Sequence, residues 1–288
     1  MRGLLSCAVG VLCGTLGLAA APRAGAAQTN APDSSLSIEL IDPQFLRVCA
    51  DPNDLPFSNE KGEGFENKLA ELFARLLNKR LTYAFYPQAT GFVRNTLSAH
   101  RCDVIMGFPQ EDELVQSTNP YYHTTYALLV TRGSGLDVRE LADPRLREAR
   151  IGIIAGTPPA TILATRGMMA RAKSYPLMID TRVGSTAAGM IRDLQAGDIQ
   201  AGVLWGPIAG FYAKRTSPEL HVIPLLGEKS GPRLDFRISM GVRATDQDWK
   251  RLLNSLIQAH QPEINSILAG YSIPLLDDKG RLLDPGAL

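Results

Sequence analysis

An α/β chain folded into two lobes joined by a double hinge is what this 288-residue sequence predicts, on three observations. Strand-like runs alternate with helix-like ones, which gives a parallel sheet with helices outside it. The alternating series occurs twice. An extended apolar segment follows each series, "YALLVTRG" at 126–133 and "FRISMGVRATD" at 236–246, as two crossings between lobes require. A single doubly wound sheet without a cleft is the competing arrangement, and it has no use for paired crossings.

The first series opens with a short apolar strand at 45–50. Phe65, Leu69, Leu72, Phe73, Leu76 and Leu77 then recur at helical spacing and draw one face. Residues 81–86 read as a strand, 92–99 as a short helix and 103–107 as a third strand. In the second series, 151–155, 177–180 and 201–205 read as strands, and 159–166, 186–195 and 208–214 as helices. The last helix carries Trp249, Leu252, Leu253, Leu256 and Ile257 on one face and should return to cover the first lobe. The expected division is 27–131 with 237–288 for lobe 1 and 132–236 for lobe 2, with loose ends at 28–44 and 276–288.

The first 26 residues stand apart. Arg2, an uncharged run from Leu4 to Ala21 and the A-x-A site Ala24-Gly25-Ala26 make a cleavable secretory signal, which places the mature chain in a bacterial periplasm. A membrane anchor is the alternative, disfavoured by the Gly and Ala content and the cleavage site. Loss of this segment removes Arg2 and Arg23 and takes the formal charge from +1 to −1. Near neutrality, without a basic stripe, argues against a nucleic-acid partner. Of four cysteines, Cys49 and Cys102 remain after export, either as a disulfide or as two buried thiols.

"CADPNDLPFSNEKGEGFENKLAELF", residues 49–73, crowds Asp51, Asn53, Asp54, Glu60 and Glu63 after a strand. A calcium loop needs glycine at its sixth position, which counted from Asp51 is Pro56, so no metal is expected. Asp51 instead ends the first strand, on the ligand edge of an open α/β sheet. Phe57, Phe108, Tyr121, Tyr122 and Trp205 fall at the same edge and would line an aromatic cleft; each alone reads better as a core residue, and their shared place at strand ends favours the cleft. Thr157 before Pro158-Pro159 should open a helix whose free N–H groups favour an anion. The four histidines show no metal-ligand spacing, and nucleophile elbows and phosphate loops are absent. No enzyme and no cofactor is expected.

"LRVCADPNDLPFSNEKGEGFENKLAELFARLL", "GFVRNTL", "CDVIMG", "NPYYHTTYALLVTR", "IGIIAGTPP", "LWGPIAGFYAK" and "ISMGVR" resemble the XoxJ and MxaJ group. These are exported relatives of solute-binding proteins that accompany PQQ-dependent methanol dehydrogenases. The resemblance covers nearly the whole mature chain, and "WGPIAG" leans to the XoxJ side, associated with lanthanide-dependent enzymes. It implies a two-lobed periplasmic binding protein fold of type II and a role in maturing, activating or supporting the dehydrogenase.

Amino-acid-binding members of that fold carry a T-x-x-R before the P-Y-Y motif, whose arginine grips an α-carboxylate. Here the stretch reads "GFPQEDELVQSTNPYY", without arginine, and the acidic residue expected after the second lobe's third strand is replaced by Trp205-Gly206. Arg94 is the nearest basic candidate, equally suited to a surface ion pair. Both clamps for a zwitterion are gone. The sequence therefore points to a protein-interaction module whose cleft grips a dehydrogenase segment or a hydrophobic small molecule. The alternative is a transport receptor for a small ligand other than an amino acid, and a weaker third reading makes Asp51 the acid of a dehydratase.

Overall fold

The structure, a computed structural model, describes residues 39–110, 112–216, 218 and 220–284. The expected signal segment, 1–26, lies outside the described residues. Strands β1 (Phe45–Ala50), β2 (Asn53–Asp54), β3 (Ser58–Asn59), β4 (Arg80–Phe85), β5 (Val104–Pro109) and β6 (Gln116–Ser117) surround helices α1 (Phe65–Leu76) and α2 (Phe92–Asn95). The long strand β7 (Tyr122–Thr131) leads to β8 (Ile151–Ile154), α3 (Pro158–Thr165), β9 (Lys173–Tyr175), α4 (Thr186–Ala196), β10 (Ala201–Trp205), α5 (Gly206–Arg215) and β11 (Leu220–Pro224). Strand β12 (Asp235–Val242) returns, and α6 (Gln247–Ala259) and α7 (Gln261–Gly270) follow.

Two parallel sheets result, linked by the crossing strands. In one, β4, β1 and β5 run parallel; in the other, β10, β8 and β9 do. β7 pairs with β12 through Tyr122 to Thr125, then with β10 and β11 through Tyr126 to Thr131. β12 in turn pairs with β5 beyond Ile238, so both crossings sit side by side as a double hinge.

Four apolar clusters hold these layers. α1, α6 and α7 cover one face of the first sheet, where Phe65, Leu69 and Ile264 are fully buried with Trp249 and Leu253. Helix α6 thus returns to the first sheet as expected, except that Leu252 is 45% exposed and a further helix, α7, follows it. The opposite face holds Phe92, Leu97 and Ile105 around joined Cys49 and Cys102, whose Cα atoms are 5.3 Å apart. The second sheet has Leu128, Ile151, Ile162 and Val203 on one face and Leu129, Met190, Leu194 and Leu204 on the other.

Two expectations need correction. The second-lobe strand is Lys173–Tyr175, paired with β8; Pro176 ends it, and 177–180 is apolar for another reason, given below. Nor are the described ends loose. Glu39 accepts hydrogen bonds from the Asp248 and Trp249 amides and caps α6, while Pro274, Leu275 and Leu276 lie along β7. There His123 bridges Asp235 of β12, at 2.6 Å, and the Asp277 carbonyl, at 3.1 Å.

Candidate functional site

The carboxyl ends of β5, β8 and β10 and the turn after β1 border a cavity of about 970 Å³ between the lobes. This is the edge where an open α/β sheet binds its ligands. Its walls are aromatic because strand-end and hinge residues converge there. The Trp205 ring lies 5.1 Å from Tyr126 of β7 and 5.8 Å from Phe236 of β12, edge-on to both. Phe57 stands 5.4 Å from Phe65, which meets Tyr122 at 6.2 Å. Gly206 fixes this corner: a Cβ there would lie 2.4 Å from the Thr125 carbonyl, so only glycine lets α5 start against the hinge strand behind Trp205.

Phe57, Phe108, Tyr122, Thr157 and Trp205 border the cavity; Asp51 and Tyr121 do not. The alternation of extended backbone separates the two tyrosines. Tyr122 faces the cleft, whereas Tyr121 is 2% exposed and donates its hydroxyl to the Met106 carbonyl at 2.6 Å. Asp51 is buried and saturated. Its carboxylate accepts from the Asn53 and Gln88 amides and from the Thr181 hydroxyl, at 2.9 and 3.1 Å. Asn53 returns a bond to the Thr181 carbonyl at 2.7 Å. Asp51 is thus a latch between lobes, which leaves it unsuited as a dehydratase acid. The segment bearing Thr181 also places Leu177 and Met178 on the cavity, which explains the apolar run at 177–180.

Thr157 heads α3, but its hydroxyl donates to the Ile154 carbonyl at 2.7 Å and leaves the helix end uncapped. Pro158 and Pro159 remove two of the N–H groups that an anion would use. The anion expectation therefore fails on its own sequence. Arg94 is exposed at the cavity mouth on α2. Among the described residues, no cluster of His, Cys, Asp and Glu could hold a metal ion, and no helix is long and apolar enough to cross a membrane.

Sequence reasoning missed the acids of the cavity floor. Asp54 and Glu66 both line it. Glu66 is 8% exposed, and its carboxyl lies where a Cβ on residue 107 would be, 2.1 Å from Oε1, so Gly107 makes the room. Burial, with the Asp54 and Asp51 charges added, pushes Glu66 up to about 8; burial and Asp51 push half-buried Asp54 to about 7. An acid in a first helical turn ordinarily reads as an exposed partner of the helix dipole, which hid Glu66. The signal was "GFEN", with the acid beside an apolar helix start.

No protein-family model matches the sequence. Periplasmic binding protein XoxJ from Methylobacterium extorquens AM1, known from its crystal structure, is 41% identical at a TM-score of 0.69. That similarity spans 81% of this chain and 100% of XoxJ. The crystal structure of MxaJ from Methlophaga aminisulfidivorans MPT is 26% identical at a TM-score of 0.69, over 80% of this chain and 100% of MxaJ. Protein MoxJ of Methylorubrum extorquens is 27% identical over 267 residues, 88% of this chain and 89% of MoxJ. With two α/β lobes, a double hinge and this identity over the whole of XoxJ, the chain belongs to the XoxJ/MxaJ group and has the type II periplasmic binding protein fold.

Proposed function

We propose that this protein is a non-catalytic accessory protein of a PQQ-dependent methanol dehydrogenase, of the lanthanide-dependent kind, and acts in the periplasm after loss of residues 1–26. PQQ and the lanthanide belong to the enzyme; this chain needs no cofactor of its own. The described residues of 27–131 with 237–288 form one lobe and those of 132–236 the other. The cleft between them grips a segment of the enzyme or a small molecule with an apolar body.

The observation that carries this reading is the loss of the arginine clamp together with the replacement of the acidic one by an aromatic ring. Trp205 stands where a second-lobe acid would hold an ammonium, stacked edge-on between Tyr126 and Phe236. The similarity to XoxJ supports the choice of partner.

The test is dehydrogenase capture by the purified chain from a periplasmic extract, with Trp205→Ala beside it. Buried aromatic anchors contribute about 2 kcal/mol or more, so the variant should bind about 30-fold more weakly while its far-UV circular dichroism stays unchanged. Equal binding by the folded variant removes the cleft from the interface. Unaltered dehydrogenase activity in a strain lacking this chain removes the accessory role.

A further inference from the structure

We propose that the cleft recognises a cationic group, a primary ammonium or a guanidinium, carried on an apolar body: Asp54 and Glu66 receive the charge and the aromatic walls receive the body. The inference rests on the cleft being the working site and names the chemistry it selects.

Glu66 carries the argument. It is more than nine-tenths buried, borders the cavity and is accommodated by Gly107. Among the described residues, no hydrogen-bond donor or cation meets its carboxyl or that of Asp54. Every other buried carboxylate has such partners: Asp51 through Thr181 and two amides, Asp103 through Arg47 and Arg243, Asp246 through Arg243. A buried acid without a partner is unfavourable, and a ligand that supplies the partner regains that free energy on binding. Among the described lining residues, Arg94 is the basic one, and it is exposed at the mouth.

The walls fit the same ligand. Phe57, Tyr122 and Trp205 offer rings that accept an apolar stem and can turn a face to a cation, whereas Phe236 already carries the Arg233 guanidinium 5.1 Å from its ring centre. A neutral apolar ligand would leave both acids unpaired, and an anion would oppose them. The expected order is cation, then neutral, then anion. Bound cation also favours the ionised carboxyl, so affinity should rise with pH toward about 8 as Glu66 gives up its proton. The titratable groups facing Glu66 are Asp51, which follows β1, Asp54 of β2, Tyr83 of β4, Tyr121 just before β7 and Tyr122 at its start.

Three probes of one size separate these cases: phenethylamine, phenethyl alcohol and 3-phenylpropionate, titrated into the whole mature protein at pH 7 by calorimetry. Phenethylamine should bind at least about 10-fold more tightly than the alcohol, the margin of one buried charge-assisted bond, with the carboxylate weakest. Glu66→Gln should bring amine and alcohol within about 3-fold of each other. If that variant does not fold, Asp54→Asn and the amine-to-alcohol ratio of the wild type decide the same question.

Equal affinities for amine and alcohol, no amine binding at millimolar concentration, or an unchanged ratio in folded Glu66→Gln would overturn the proposal. With the dehydrogenase bound, displacement by phenethylamine assigns the cation to a lysine or arginine side chain of the enzyme; joint binding assigns it to a free amine. Both outcomes support a cation site. Absence of any dehydrogenase binding sinks the accessory role alone, because the amine-to-alcohol ratio is measured without it.

Discussion

Two buried acidic centres occupy opposite ends of the same sheet and are treated in opposite ways. Asp103, at the start of β5, receives Arg47 through Nε and Nη2 at 2.7 and 2.6 Å and Arg243 through Nη2 at 2.8 Å. Its backbone carbonyl accepts the Trp249 indole N–H, which ties α6 to the sheet. Arg243 Nε also lies 2.7 Å from Asp246, out of line for a hydrogen bond but close as an ion contact. Glu66, beside the other end of β5, has no such company. The pairing that satisfies Asp103 makes it part of the scaffold, whereas the missing pairing at Glu66 leaves free energy available to a visitor.

The largest effect should come from breaking the satisfied centre. Asp103→Asn removes the charge between two arginines, one of them 7% exposed, and leaves a buried cation short of a partner. Losing one member of a buried ion cluster destabilises by about 3 kcal/mol or more. Chemical denaturation should show a lower midpoint at an unchanged slope. A loss below about 1 kcal/mol would mean that water already relieves this network, and the contrast with Glu66 would lose its meaning.

The unsatisfied centre should respond in the other direction. The Glu66 pKa stands at about 8 in the folded chain against an ordinary 4.5. Between those values the folded state holds more protons than the unfolded one, so stability falls as pH rises through that window. Glu66→Gln should match the wild type to within a few tenths near pH 4.5 and exceed it by about 3 kcal/mol at pH 7, because one proton is worth about 1.4 kcal/mol per pH unit. Asp54, raised from 3.8 to about 7, adds the same one-proton slope over a narrower window to both proteins. Parallel stability curves for the two would show that Glu66 ionises freely, and the cleft would then have no charge deficit to offer.

The scaffold side of this contrast was largely legible in the sequence, and the cleft side only in part. β1, β10 and the helical faces follow from local period, which is why their bounds agree within a residue or two. The run at 177–180 misled because apolar residues facing a cavity look like apolar residues facing a sheet. Tyr121 and Tyr122 are indistinguishable until the strand's pleat assigns one to each face. Asp51 was placed correctly at the end of β1, but its partner Thr181 is 130 residues away, and no local pattern announces that pairing. Glu66 needed both the helix rotation and the absence of a Cβ at Gly107, two facts on different elements.

Asp51 completes the comparison, as a buried acid whose partner belongs to the other lobe. Thr181→Val keeps the side-chain shape and the Asn53 bond to its carbonyl, and removes only the hydroxyl donated to Asp51. That hydrogen bond joins the two lobes and is lost when they part, so it should act on closure more than on folding. A half-exposed bond to a carboxylate contributes about 1 kcal/mol, which shifts the closed-to-open ratio about 5-fold toward open. Small-angle scattering should then report a larger radius of gyration, while the denaturation midpoint moves little, because neither lobe's core contains Thr181. Unchanged scattering with a lower midpoint would place the hydroxyl among the scaffold contacts, beside Asp103. A larger radius that returns to the wild-type value on addition of phenethylamine would tie the Asp51 latch to the charge on the cavity floor, since a ligand held by lobe 1 acids and by Trp205 from lobe 2 closes the same gap by another route.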